Sequence, residues 1–197
     1  LGDFNQAIEI FTATIEKEPN NPELYYLRGS AYYNRYKTLF ETNSSEADGN
    51  DFHQAIIDFT KAIELHPSFA EAYSFRGLTY AAYDEDEKAL ADYNKAISLK
   101  PGLAEAYYQR AGLFEKRDEK EQAIGDYSRF LELGQDPSWR AEAQKRLESL
   151  QNIPLKTDFS SEYLLYFLST RNNKVEFFTL DIANGEERRL TLAELEG

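Results

Sequence analysis

Between Ala70 and Pro101, apolar and small residues fall three or four positions apart, change phase across an acidic turn, and resume the same spacing up to a proline. That periodicity predicts two amphipathic helices joined by a short turn. The arrangement returns 34 residues on, so that Ala70, Tyr73, Tyr80, Ala89 and Tyr93 recur as Ala104, Tyr107, Phe114, Ala123 and Tyr127. Read backwards, the same phase places Tyr25, Gly29 and Tyr32 on one helix and Ala55, Phe59, Ala62 and Pro67 on its partner. A still earlier second helix carries Ala7, Phe11 and Pro19, as though the chain opened in mid-repeat with its native N-terminus elsewhere. A period of this length, built of two helical halves, predicts a helix-turn-helix solenoid in which each unit buries its apolar face against the next.

The packing logic agrees. Gly29, Gly77, Ala89, Ala96 and Ala123 stand where two helices must approach closely, and Tyr or Phe alternate with them so that large residues fill the space beside small ones. Pro67 and Pro101 end their helices, because the residue before a proline is pushed out of the helical region. An aromatic, then Gly or Ala, then Tyr on the first helix, with Ala, an aromatic and Ala on the second and a closing Pro, resembles the tetratricopeptide repeat (TPR) family. The resemblance covers residues 1–151 and implies an all-α, right-handed superhelical solenoid. Its expected parts are a half repeat at 1–21, a repeat with an insertion at 22–69, repeats at 70–103 and 104–136, and a capping helix at 137–151 in which Trp139 packs.

The pattern breaks twice. After Tyr33 a 14-residue insertion delays the turn; Tyr36, Leu39 and Phe40 keep helical spacing, so the first helix is expected to run on by about two turns, roughly 12 Å. Asn43 to Asn50 reads as a polar loop, and Asn43-Ser44-Ser45 matches a glycosylation acceptor, a triplet that arises often by chance. The insertion is either a tolerated lengthening or a partner-contacting arm. Beyond 152 the period changes to short runs rich in aromatic and β-favouring residues, separated by Arg171-Asn172-Asn173 and Asn184-Gly185. These predict a small C-terminal antiparallel β-meander with a β-hairpin at Asn184-Gly185. Residues 158–191 resemble one blade of a TolB-type β-propeller, which would imply a parent protein continuing past Gly197. Such a sheet cannot bury both faces alone, so either the terminal helix or a homodimer through these strands is expected to cover it.

Composition narrows the function classes. A net charge of −13 argues against binding a phosphate backbone, and the absence of cysteine removes thiolate and disulfide chemistry while leaving the compartment, cytoplasmic or periplasmic, open. Arg28, Arg76 and Arg110 recur in one repeat phase but are outnumbered by acids. His53 and His66 lack metal-type spacing, and Asp84 to Glu87 lacks the spaced ligands and glycine of a calcium loop and reads as a solvated turn. With no nucleophile elbow and no phosphate loop, no enzyme and no cofactor is expected.

What the resemblance implies is a surface. In this family the first helices line a concave face, here Glu23, Tyr26, Leu27, Ser30 and Tyr33, then Glu71, Ser74, Phe75 and Leu78, then Glu105, Tyr108, Gln109 and Gly112. Such a face suits a peptide or helical segment with apolar anchors and neutral or basic flanks. The family's co-chaperones clamp acidic tails with Lys, Asn and Arg, whereas Glu71, Phe75, Glu105 and Gln109 hold the equivalent places and would repel them. The expected function is therefore a non-enzymatic protein-binding scaffold. The alternative is a structural fragment of a larger cell-envelope TPR/β-propeller protein whose groove is filled internally.

Overall fold

A computed structural model describes residues 2–42, 49–151, 163–169, 175–181 and 187–189. The chain divides into two compact units, Leu1–Asn152 and Ile153–Gly197. The first contains α1 (Gly2–Lys17), α2 (Pro22–Glu41), α3 (Asn50–Leu65), α4 (Ala70–Ala82), α5 (Asp86–Leu99), α6 (Ala104–Lys116), α7 (Lys120–Leu133) and α8 (Pro137–Gln151). Consecutive helices pack on each other, and the first helices of successive hairpins also touch, α2 on α4 and α4 on α6. The fold of this unit is an all-helical solenoid.

Helix boundaries follow local chemistry. Pro22 occupies the first turn of α2, where its missing N–H is not needed, and the Asn21 side chain accepts from the Glu23 N–H at 3.1 Å. Asp84 and Asp118, 34 residues apart in the two inter-helix turns, hold φ of 57° and 58°. Aspartate tolerates this left-handed conformation because its short polar side chain bonds locally. The Glu85 and Glu119 N–H groups then reach back to the Tyr80 and Phe114 carbonyls at 3.0 and 2.9 Å, closing both helices in the same way. The acidic turn is not solvated throughout, since Lys116 from the next unit donates to Asp84 and Asp86 at 2.7 and 2.9 Å.

The core repeats with the sequence. Ala55, Phe59, Ala62, Ala89, Tyr93, Ala96, Ala123 and Tyr127 are all buried. A Cβ on Gly77 would stand 3.0 Å from the Tyr93 ring and 3.1 Å from the Ala89 carbonyl oxygen, so glycine there allows first and second helices to close on one aromatic ring. Helix α2 continues through Glu41 and buries Leu39, as the spacing of the insertion suggested. The glycosylation triplet lies outside the described residues, as does most of the polar loop.

In the second unit, β1 (Tyr163–Ser169), β2 (Val175–Asp181) and β3 (Glu187–Arg189) form a sheet of order β1-β2-β3. Tyr166 is registered opposite Phe178 and, on the other side, Phe178 opposite Arg189; both pairings are antiparallel. The expected turns at Arg171-Asn172-Asn173 and Asn184-Gly185 lie outside the described residues.

Candidate functional site

Each first helix turns one face inward to a recurring clamp and another toward its neighbours. In the clamp, Arg76 donates through Nε and Nη2 to the two carboxylate oxygens of Asp92 at 2.7 and 2.8 Å, and through Nη1 to Thr60 of the preceding unit at 3.1 Å. Arg110 does the same with Asp126, at 2.6 and 2.7 Å, and with Asn94. Arg28 repeats it with Asp58, at 2.8 and 2.7 Å, and with Thr12. A planar guanidinium can hold one carboxylate with two parallel bonds and still spare a donor, and each arginine thus ties its own hairpin to the unit before it. Tyr and Phe rings one turn away cover these cations, Arg76 lying 5.5 and 5.9 Å from the Tyr73 and Tyr80 centroids. The hydrogen bond from Arg28 to Asp58 outweighs burial and raises the arginine above its ordinary value. The recurrence of the arginines is visible in the sequence; their partners Asp58, Asp92 and Asp126 stand in an equally regular column that the sequence reading misses.

The opposite face carries the residues expected to line a groove. Tyr26 meets Phe75 edge-to-face at 5.4 Å and Phe69 at 5.0 Å, and Phe75 and Leu78 flank the same cluster. All three are half-buried, while Leu27 stays 42% exposed. Burial raises the Tyr26 hydroxyl above its ordinary pKa, and the fields of Glu71 and Glu105 add to it against a hydrogen bond to Ser30. Carboxylates from two successive units therefore act on one tyrosine. Glu71 is not a bare acid, because Lys100 pairs with it at 2.5 Å. Glu105 and Glu23 are exposed at their helix starts, and Gln109 and Tyr108 are half-buried.

Two expected groove residues lie elsewhere. Tyr33 is only 9% exposed and packs on Phe52 with centroids 6.2 Å apart, so it belongs to the α2–α3 core, one helical face away from Leu27. Ser74 is buried as well.

Tyr108 leads to a group of residues that sequence reasoning does not assign to the surface. Its ring lies 5.0 Å from Trp139 on α8 and 5.1 Å from Phe130 on α7, and Trp139 remains 39% exposed. Nearby, Arg146 bridges Glu115 at 3.0 Å and Glu142 at 2.9 Å, and the Tyr127 hydroxyl donates to Glu115 at 2.8 Å. Burial raises the Tyr108 hydroxyl, with Arg146 pulling it down and Glu142 and Glu115 pushing it up. Trp139, expected only to pack within the terminal helix, packs and also presents part of its ring to solvent. A separate cleft of about 470 Å³, lined by Tyr25, Arg28, Ile57, Asp58, Lys61 and others, shares no residue with the expected groove.

Among the described residues no three His, Asp or Glu side chains converge as metal ligands, and no helix is long and apolar enough to cross a membrane.

Residues 1–35 and 44–104 match the tetratricopeptide repeat family. Together with the architecture, this makes the helical unit a tetratricopeptide repeat solenoid, the class of fold generally used as a protein-interaction scaffold. The matched residues, just under half of the chain, all lie in the helical unit, and it is that unit which is similar to the family. Among solved structures, it is similar to a thermophilic TPR protein of Thermus thermophilus, with 25% identity over 75% of each chain and a TM-score of 0.65. The TPR domain of Arabidopsis OM64 aligns at 23% identity over 66% of this chain and 95% of its own, with a TM-score of 0.53. Human IFIT1, a dimer with PPP-AAAA, aligns at 19% identity over 76% of this chain and 35% of its own, with a TM-score of 0.65. The last two are likenesses of fold alone.

Proposed function

We propose that this protein is a non-enzymatic scaffold that holds an extended or helical polypeptide segment along the first-helix face of its solenoid. The observation that carries this reading is the line formed by Leu27, Tyr26 and Phe75, in which aromatic and aliphatic surface from two successive units is joined edge-to-face and overlooked by Glu71 and Glu105. Apolar anchors of a partner would seat on the rings, and neutral or basic flanks would suit the carboxylates.

The test is calorimetric titration with two series of amphipathic peptides sharing Leu and Phe anchors, one flanked by Lys and Arg and the other by Glu. The basic series should bind and the acidic series should not. Leu27→Asp, which alters an exposed side chain and should leave the melting temperature unchanged, should weaken binding about tenfold or more. Tight binding of the acidic series, or indifference to Leu27→Asp, would sink the reading. The second reading, a structural piece of a larger TPR/β-propeller protein, draws support from the antiparallel strands between 163 and 189. Repeated copies of that strand pattern further along the parent gene would favour it.

A further inference from the structure

Tyr108 and Trp139 make an aromatic shelf between α6 and α8, with ring centroids 5.0 Å apart and planes inclined by 41°. Glu105 lies one turn before Tyr108 on α6 and Glu115 two turns after it, while Glu142 and Arg146 follow Trp139 along α8 at helical spacing. Glu115 and Glu142 act on the Tyr108 hydroxyl and share the one guanidinium, Arg146, between them, while Glu105 stands one turn from Tyr108 on the same helix. Glu105 is exposed and is in no close salt bridge among the described residues, although its field reaches Lys100. Elsewhere the chain covers its tyrosines with its own arginines: Arg28 lies over Tyr25, Arg76 over Tyr73 and Tyr80, Arg110 over Tyr107. Among the described residues no cation lies over the Trp139 ring, while the Arg146 charge acts on the Tyr108 hydroxyl.

We propose that this shelf seats an arginine side chain of the bound polypeptide, its guanidinium stacked on the Trp139 indole and its charge answered by Glu105. The inference rests on the groove reading above and adds to it the residue type that the C-terminal end of the groove selects. Arginine fits better than lysine because a flat, weakly hydrated guanidinium can stack on a ring and still donate in its own plane to a carboxylate. An apolar side chain would use the rings and leave the carboxylates unanswered.

The experiment is selection of random peptides on the intact protein, followed by titration of a selected peptide monitored through the fluorescence of Trp139, the single tryptophan of the chain. Selected peptides should carry arginine at one fixed distance from their apolar anchors. Replacing that arginine by citrulline, which keeps the shape and removes the charge, should weaken binding by roughly 2- to 30-fold and diminish the Trp139 fluorescence change. Because citrulline alters only the peptide, this readout is immune to any folding defect in a protein variant. Selection on Trp139→Leu should lose the arginine preference while keeping the apolar one. Peptides enriched without arginine, or bound equally well with citrulline, overturn the shelf assignment and leave the groove reading standing. If no peptide is enriched at all, both fall.

Discussion

The α2–α3 hairpin and the α4–α5 hairpin solve the same packing problem with different amounts of chain. In the second, Arg76 and Asp92 are 16 residues apart; in the first, Arg28 and Asp58 are 30 apart, yet the two-pronged contact is the same within about 0.1 Å. The whole 14-residue difference is taken up beyond the clamp, at the tip. There the longer hairpin builds a second clamp of the same kind, Arg35 donating to Asp51 at 2.8 and 2.5 Å and to Asn5 of α1 at 2.7 Å. Seven residues up one helix and seven down its antiparallel partner restore the same facing pair, since seven residues make about two turns. An insertion is tolerated here because a hairpin can grow at its tip without disturbing the seam between units.

That comparison can be broken most forcefully at the clamps. Asp58 and Asp92 are both buried, so Asp58→Ala or Asp92→Ala would leave an arginine underpaired and cost about 2 to 4 kcal/mol, somewhat below the figure for a fully buried pair because each arginine retains partial solvent access. Hydrogen exchange should separate the two variants. With Asp92→Ala the α4–α5 amides should lose protection along the hairpin, whereas with Asp58→Ala the tip of α2–α3 should stay protected by Arg35 and Asp51. Equal deprotection of both hairpins would mean that the second clamp does not hold the tip.

A smaller effect is expected from removing the extra length. Deleting 36–49 brings Arg28 and Asp58 to the separation seen in the shorter hairpins, at the expense of buried Leu39 and the Tyr36–Phe52 contact at 3.9 Å. The loss should be about 1 to 3 kcal/mol, close to the value of burying one large apolar side chain, with a single cooperative thermal transition retained. A deletion variant that loses the circular-dichroism signal of its helices would show that the extension is required for the fold and is not an addition to it.

Much of this is legible in the sequence. The repeat phase exposes the small-residue column at Gly29, Gly77, Ala89 and Ala123, and the spacing of Tyr36, Leu39 and Phe40 foretells the longer helix, because periodicity reports which face of a helix turns inward. It does not report which inward residue meets which. Tyr33, expected in the groove, packs instead on Phe52, a residue that the delayed α3 brings back beside it. The Arg–Asp pairs are only half visible, since the two columns lie on different helices and only folding sets them face to face. Trp139 and Arg146 could not be placed beside Tyr108 because α8 follows the last full repeat, where no later copy shows which of its faces is shared.

The smallest effect concerns an ion pair that the first hairpin lacks. Glu71 opens α4 and receives a hydrogen bond from Lys100 at 2.5 Å, while Glu23, at the matching place on α2, forms no ion pair among the described residues. Burial alone would raise the Glu71 carboxyl, but Lys100, the backbone N–H of Glu71 itself and the field of His66 overcome it and hold it below its ordinary value. A carboxylate depressed in the folded state binds its proton less readily there than in the unfolded chain. Its contribution is therefore complete above the unfolded pKa and is lost as pH falls through that value toward the folded one. Both partners are partly solvated, so the contribution should be only about 0.2 to 1 kcal/mol and should shrink with salt. Urea melts of Glu71→Gln and the parent protein should differ near neutral pH and converge in acid, whereas Glu23→Gln should track the parent throughout. Convergence at neutral pH instead, or an equal response from Glu23→Gln, would show that Lys100 does not discriminate between the two helix starts.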